Sequence, residues 1–159
     1  MSPEVGSAQI VLDANTVQWT HGGHIDGGIW LDLDGHGFPD PGWLDFPLPV
    51  LSWWVDAMVP LLDGASTSAE VRFLDGPHAV EIEALSPDAW RVSAIDVRVT
   101  RRVVRLSSTV DPRPLLASVI AAADTVLAIC RTRGWVDRDS TRLANSLAAL
   151  RSRVGSIEQ

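Results

Sequence analysis

The sequence predicts an α+β domain in which an antiparallel sheet of four or more strands packs against one helix from the N-terminal half and two C-terminal helices. Three observations carry that expectation. Short alternating apolar runs separated by polar turns fill residues 71–107, apolar residues recur at helical spacing over 50–61, and two further helical stripes follow Asp111. A chain of 159 residues with 46% hydrophobic content can bury a core without metals or disulfides, and its single cysteine, Cys130, offers no internal disulfide.

Taken in order, residues 1–7 and 155–159 read as flexible tails, leaving 8–154 as a single domain. Residues 8–13 (AQIVLD) have the β-branched character of a strand, and Asp13-Ala14-Asn15 predicts a turn into a partner strand over 16–19. Four glycines within 20–28 predict a loop. The next strand, 29–33, places Ile29, Leu31 and Leu33 on one face and Trp30 and Asp32 on the other. GHGFPDPGW, residues 35–43, breaks regular structure. Val50, Leu51, Trp54, Met58, Leu61 and Leu62 then form a helical stripe widened by Trp53 and Ala57, with Pro47 and Pro49 suited to its start and Pro60 expected to end or kink it.

The clearest β region follows. Val71 and Phe73, then Val80 and Ile82 across Asp75-Gly76, alternate with polar residues as in a hairpin with one buried face. A second turn, Ser86-Pro87-Asp88-Ala89, leads into strand 90–97, and 101–107 makes a fourth strand. Asp111 and Pro112 are a matched N-cap and first position for a helix over 112–133, whose stripe is Leu115, Leu116, Val119, Ile120, Ala123, Val126, Leu127 and Cys130. Arg131 and Arg133 suit its C-terminal dipole, and Gly134 can close it. Asp137 or Asp139 caps a last helix with Leu143, Leu147, Leu150 and Val154 on its apolar face.

Charge is distributed unevenly. Fifteen acids against two arginines give residues 1–96 a net of −13, and eleven arginines against five acids give residues 97–159 a net of +6. Either the halves neutralise each other in the fold, or an acidic surface faces a basic partner and speeds encounter with it. Nucleic acid is disfavoured, because phosphate binding needs a basic surface. All thirteen basic residues are arginine and tyrosine is absent, a usage that points to coding bias in a GC-rich bacterium. Seven tryptophans supply large rings for a core or for interface anchors.

Several strings invite chemistry. Trp30-Leu31-Asp32-Leu33-Asp34-Gly35 resembles the nucleophile motif of haloacid-dehalogenase-like phosphatases, which would make Asp32 the nucleophile and Asp34 the general acid, both helping to place magnesium. The chain departs from that family in carrying His36 where a threonine normally follows the glycine, in having no lysine, and in lacking alternating βα units. Asp32, Asp34, Asp40 and Asp45 could offer oxygens to calcium, although Gly35 and Phe38-Pro39 sit badly for an EF-hand loop. His21, His24, Asp26 and His36 could approach one metal, but from glycine-rich loops rather than from a helix. Cys130 falls on an apolar stripe and reads as a core residue. Arg72, Arg91, Arg98, Arg101, Arg102 and Arg105 form a basic stripe whose simplest use is cross-strand pairing with Glu81, Glu83 and Asp96. No catalytic residue, cofactor or metal is assigned.

The leading expectation is a noncatalytic protein-binding module. Its surface combines Trp30, Asp32 and Asp34 with the segment 35–46, where Phe38 and Trp43 act as anchors and Asp40 and Asp45 as a charged rim; the alternative is that Trp43 and Phe46 pack under the 50–61 helix. No apolar run reaches the roughly 18 residues that span a bilayer and no export signal opens the chain, so a cytoplasmic location without membrane contact is expected. In size, acidity and lack of assembled catalytic residues the chain resembles the small immunity proteins of bacterial polymorphic or contact-delivered toxin systems. That resemblance implies a cognate toxin domain as partner, captured stoichiometrically. A homodimer stays open, as do a small metal-assisted hydrolase using Asp32 and Asp34 and a structural, oligomer-forming role.

Overall fold

Over the described residues, 5–20 and 22–158 with side chains to 155, the computed structural model holds eight strands and three helices. They run β1 (Ala8–Trp19), β2 (Ile25–Leu33), β3 (His36–Phe38), β4 (Leu44–Asp45), α1 (Pro47–Asp63), β5 (Ser68–Arg72), β6 (His78–Ser86), β7 (Ala89–Val97), β8 (Arg102–Val110), α2 (Pro112–Arg133) and α3 (Arg138–Glu158). The strands form two antiparallel four-stranded sheets, one with β1, β2 and β3 in order and β4 also on β2, the other in the order β5-β6-β7-β8. The predicted α+β class is therefore what the chain adopts, with two sheets in place of one.

The first sheet departs most from expectation. Asp13-Ala14-Asn15 does not turn; β1 runs through it with a register shift between Asp13 and Gln18, and the Thr16 hydroxyl accepts the Gly28 N–H at 2.7 Å. Of the predicted loop over 20–28, residues 25–28 are strand, where Gly27 and Gly28 lie close against β1: a Cβ on Gly27 would stand 3.1 Å from Val17 Cγ2, a tight contact. Asp34-Gly35 is a two-residue hairpin turn with φ of 54° and 86°, and positive φ at both central positions matches the right-handed twist of the flanking strands.

Helix α1 lies at the centre of the molecule. Leu48, Val50, Leu51, Trp54, Val55, Met58 and Leu61 are buried, so the helix has core on most of its circumference. Pro60 lies in the last turn; the helix runs on to Asp63 and closes at Gly64 with φ of 74°. In α2, Asp111 caps the Arg113 N–H, Gly134 closes the end at φ 74°, and Trp135 N–H reaches the Cys130 carbonyl at 2.8 Å. Its apolar stripe is buried as the spacing predicts, with Ala122 added and Ile120 only half-buried. At 22 residues α2 is also long and apolar enough to cross a membrane by length and composition, contrary to the expectation of no such run; here its stripe packs against β1, α1 and α3. Asp137, rather than Asp139, caps α3: its carboxylate accepts the Ser140 N–H at 2.9 Å while the Ser140 hydroxyl accepts the Asp137 N–H at 3.0 Å.

Both segments expected as tails are partly structured. Residues 155–158 continue α3. Gly6 bridges to Val110 in parallel, its N–H reaching the Thr109 carbonyl at 2.9 Å, and so stitches the start of β1 to β8 of the second sheet. A Cβ there would stand 1.9 Å from the Ser108 hydroxyl oxygen and 2.5 Å from Asp34 Oδ1, so a larger residue would have to displace both side chains.

Candidate functional site

Alternation along β2 decides what the first sheet shows to each side. Ile25, Gly27, Ile29, Leu31 and Leu33 face the helices, and all are buried. The even residues, Asp26, Gly28, Trp30 and Asp32, face outward. Register extends that outer face in rows: Gln9 and Gly37 flank Asp32, Val11 stands opposite Trp30, and Asp13 and Leu44 flank Gly28. Trp30 is half-buried, yet it and Val11 lie outside the hydrophobic core that takes in Leu12, Trp43 and Trp53. Leu44 is 60% exposed. The Trp30 ring leans along its strand, for a Cβ on Gly28 would stand 3.4 Å from its Cζ3 and 3.3 Å from Asp13 Cβ. An aromatic ring, a valine and a leucine thus share one open face with Asp13, Asp26 and Asp32, while Asp34 and Asp40 are exposed in the loops beside it.

The electrostatics of the two sheets differ in kind. No lysine or arginine occurs before Arg72, so the first sheet contains no cationic partner of its own. Among the described residues Asp13, Asp26, Asp32, Asp34 and Asp40 join no ion pair. The arginines, all from Arg72 onward, are largely spent on other acids. Arg102 bonds both Glu70 and Glu81, Arg91 meets Glu83 at 3.3 Å, Arg105 meets Asp96 at 2.9 Å, and Arg142, Arg151 and Arg153 pair with Asp56, Asp124 and Asp63. The predicted cross-strand pairing with Glu81, Glu83 and Asp96 is therefore present, and it neutralises the second sheet while leaving the first acidic.

The other expected anchors are placed differently. Phe38 is 3% exposed and packs edge-on against Phe73 and His78, and Asp45 is 3% exposed. Asp45 is not a rim charge: its carboxylate accepts the Trp43 indole N–H at 3.0 Å, the Phe46 N–H at 2.8 Å and the Asp75 N–H at 3.2 Å. Trp43 is half-buried against the core and meets His78 edge-on at 5.1 Å. Segment 35–46 is thus chiefly a clamp between the sheets, and Asp40 is the acid in it that reaches solvent. Sequence reasoning missed Val11, Asp13 and Leu44, and the signal for the first two was the same alternation that paired Trp30 with Asp32.

The residues of the other candidate chemistries have these surroundings. Asp32 accepts the Gly35 N–H at 2.9 Å and Asp34 accepts the Ser7 N–H at 2.8 Å, so the phosphatase-like string braces a hairpin and the stretch before β1. Among the described residues no group of three or more histidines, cysteines or acids is arranged to hold a metal; His21, one of the residues named for such a site, lies outside them. Cys130 is buried, and burial together with the Asp137 carboxylate pushes its thiol up, away from reactive thiolate. Asp96, 2% exposed, is the buried acid of the second sheet, held by His78 at 2.8 Å and Arg105 at 2.9 Å. Burial alone would raise its pKa, but those hydrogen bonds and charges outweigh it and hold the carboxyl below the ordinary aspartate value. Set against protein-family models, curated proteins and solved structures, the chain finds no match.

Proposed function

We propose that this chain is a noncatalytic protein-binding module, an immunity protein that neutralises a cognate bacterial toxin by direct binding through the outer face of its first sheet. The observation that carries this reading is the pairing of an aromatic and aliphatic centre, Trp30 with Val11 and Leu44, with acids that have no cation of their own. A partly buried ring gives a partner something to cover, and unpaired carboxylates around it attract basic surfaces and repel acidic ones. If the toxin is a nuclease or consumes nucleotides, the carboxylates of Asp13, Asp26, Asp32, Asp34 and Asp40 would mimic the phosphate charge of its substrate.

The test is co-expression with the C-terminal domain of a large toxin encoded immediately beside this chain. The expected result is a stable 1:1 complex and loss of the toxin's activity in stoichiometric proportion. Absence of a complex, with both proteins folded, would overturn the proposal, and turnover of a phosphate ester that is lost in Asp32→Ala would replace it with the hydrolase reading.

A further inference from the structure

A second feature lies away from the sheet face, where the start of α1, the loop after β1, the turn after β5 and the start of α3 enclose a recess of about 240 Å³. Phe46, Leu48 and Leu74 are part of its apolar wall, and His24, Asp137 and Asp139 are among its polar lining. Leu74 is 43% exposed at the tip of a turn, an uncovered apolar rim. The recess is smaller than the roughly 300–1,000 Å³ of sites that hold drug-sized ligands and cofactors, which matches it to one side chain.

We infer that this recess receives an arginine side chain of a protein partner, its stem against Phe46, Leu48 and Leu74 and its guanidinium at Asp137 and Asp139. The inference rests on the protein-binding reading above. The apolar wall suits the methylene stem of a long basic residue. The lining residues include two carboxylates and no lysine or arginine, Arg138 between them standing exposed outside the lining. Asp137 spends Oδ1 on the Ser140 N–H, whereas Asp139 joins no hydrogen bond or ion pair among the described residues. The positive end of α3 accounts for acids at these positions but leaves the Asp139 oxygens open to a donor. Arginine is favoured over lysine because its planar fork can bond two carboxylate oxygens at once.

The experiment is a titration of the isotope-labelled chain, without partner, with N-acetyl-arginine methylamide and with its uncharged citrulline counterpart, read by nuclear magnetic resonance. Saturable shifts at Leu74 and Phe46 are expected, with citrulline weaker by about fivefold or more and with Asp139→Asn removing most of that difference. Equal binding of the two probes, or no saturable shift at those residues, overturns the inference, and Leu74→Ala supplies a second variant if Asp139→Asn disturbs the cap. The titration reports on the recess alone and formation of the toxin complex reports on the protein-binding reading, so the two failures are told apart.

Discussion

Asp40 and Asp45 show how far neighbouring residues can diverge. Both are aspartates in one proline-rich segment, yet Asp40 is exposed and Asp45 is buried with three donors on its carboxylate. Sequence could not separate them, because one of those donors is the Asp75 N–H, 30 residues away in the turn between β5 and β6. Asp40→Lys should change the stability of the free chain by no more than about 0.5 kcal/mol, whereas Asp45→Lys should cost more than about 4 kcal/mol or prevent folding, since it buries an unpaired charge among orphaned donors; denaturant titration of the two variants checks this. Asp96 predicts a pH dependence. Its pKa is lowered in the folded state, so its contribution is fully present above the unfolded aspartate value of about 3.9 and is lost as pH falls through the folded value. Asp96→Asn should therefore cost about 1–3 kcal/mol near neutrality, an amount kept modest because Arg105 is more than half exposed, and the deficit should shrink on acidification. A deficit that stays constant from pH 7 to pH 2.5 would contradict this assignment.

At the scale of elements, periodicity and caps were legible and long-range pairing was not. The stripes of α1, α2 and α3, the Asp111 and Gly134 ends of α2, and the β6–β7 turn follow from local rules that act within a few residues. The continuity of β1 through Asp13-Ala14-Asn15 and the strand character of Gly27 and Gly28 depend on the partner strand, and a glycine-rich stretch looks like a loop until a neighbour lies close to its backbone. Pro60 falls in the last turn of α1, where the helix has core contacts on most sides and accommodates the lost hydrogen bond for three further residues. Burial on α2 makes two predictions. Val119→Asp and Leu116→Asp should unfold or severely destabilise the domain, Val119 the more so because it is fully buried whereas Leu116 keeps 7% exposure. Cys130, 1% exposed, should react with a thiol reagent orders of magnitude more slowly in the native chain than in denaturant, and comparable rates would place α2 in the wrong phase.

For the whole molecule, the sequence's split between an acidic first half and a basic second half becomes a split between surfaces. The second sheet and the helices pair most of the arginines with nearby acids, some of them from the first half, such as Glu70, Glu81, Glu83 and Asp96. What stays unbalanced is the first sheet, which precedes every arginine in the chain. Net charge alone hid this, because it does not say which carboxylates are already matched. The central claim is that the outer face around Trp30 binds the toxin, and the rates of complex formation and breakdown over a salt series test it most directly. Asp13→Lys with Asp32→Lys should slow association and flatten its salt dependence, because exposed charges act mainly through encounter. Trp30→Ala, outside the core, should leave the free chain stable and cost at least about 2 kcal/mol of binding, roughly thirtyfold in affinity and mostly as faster dissociation. Unchanged rates in folded variants, or faster association after the charge reversal, would contradict the assignment of this face.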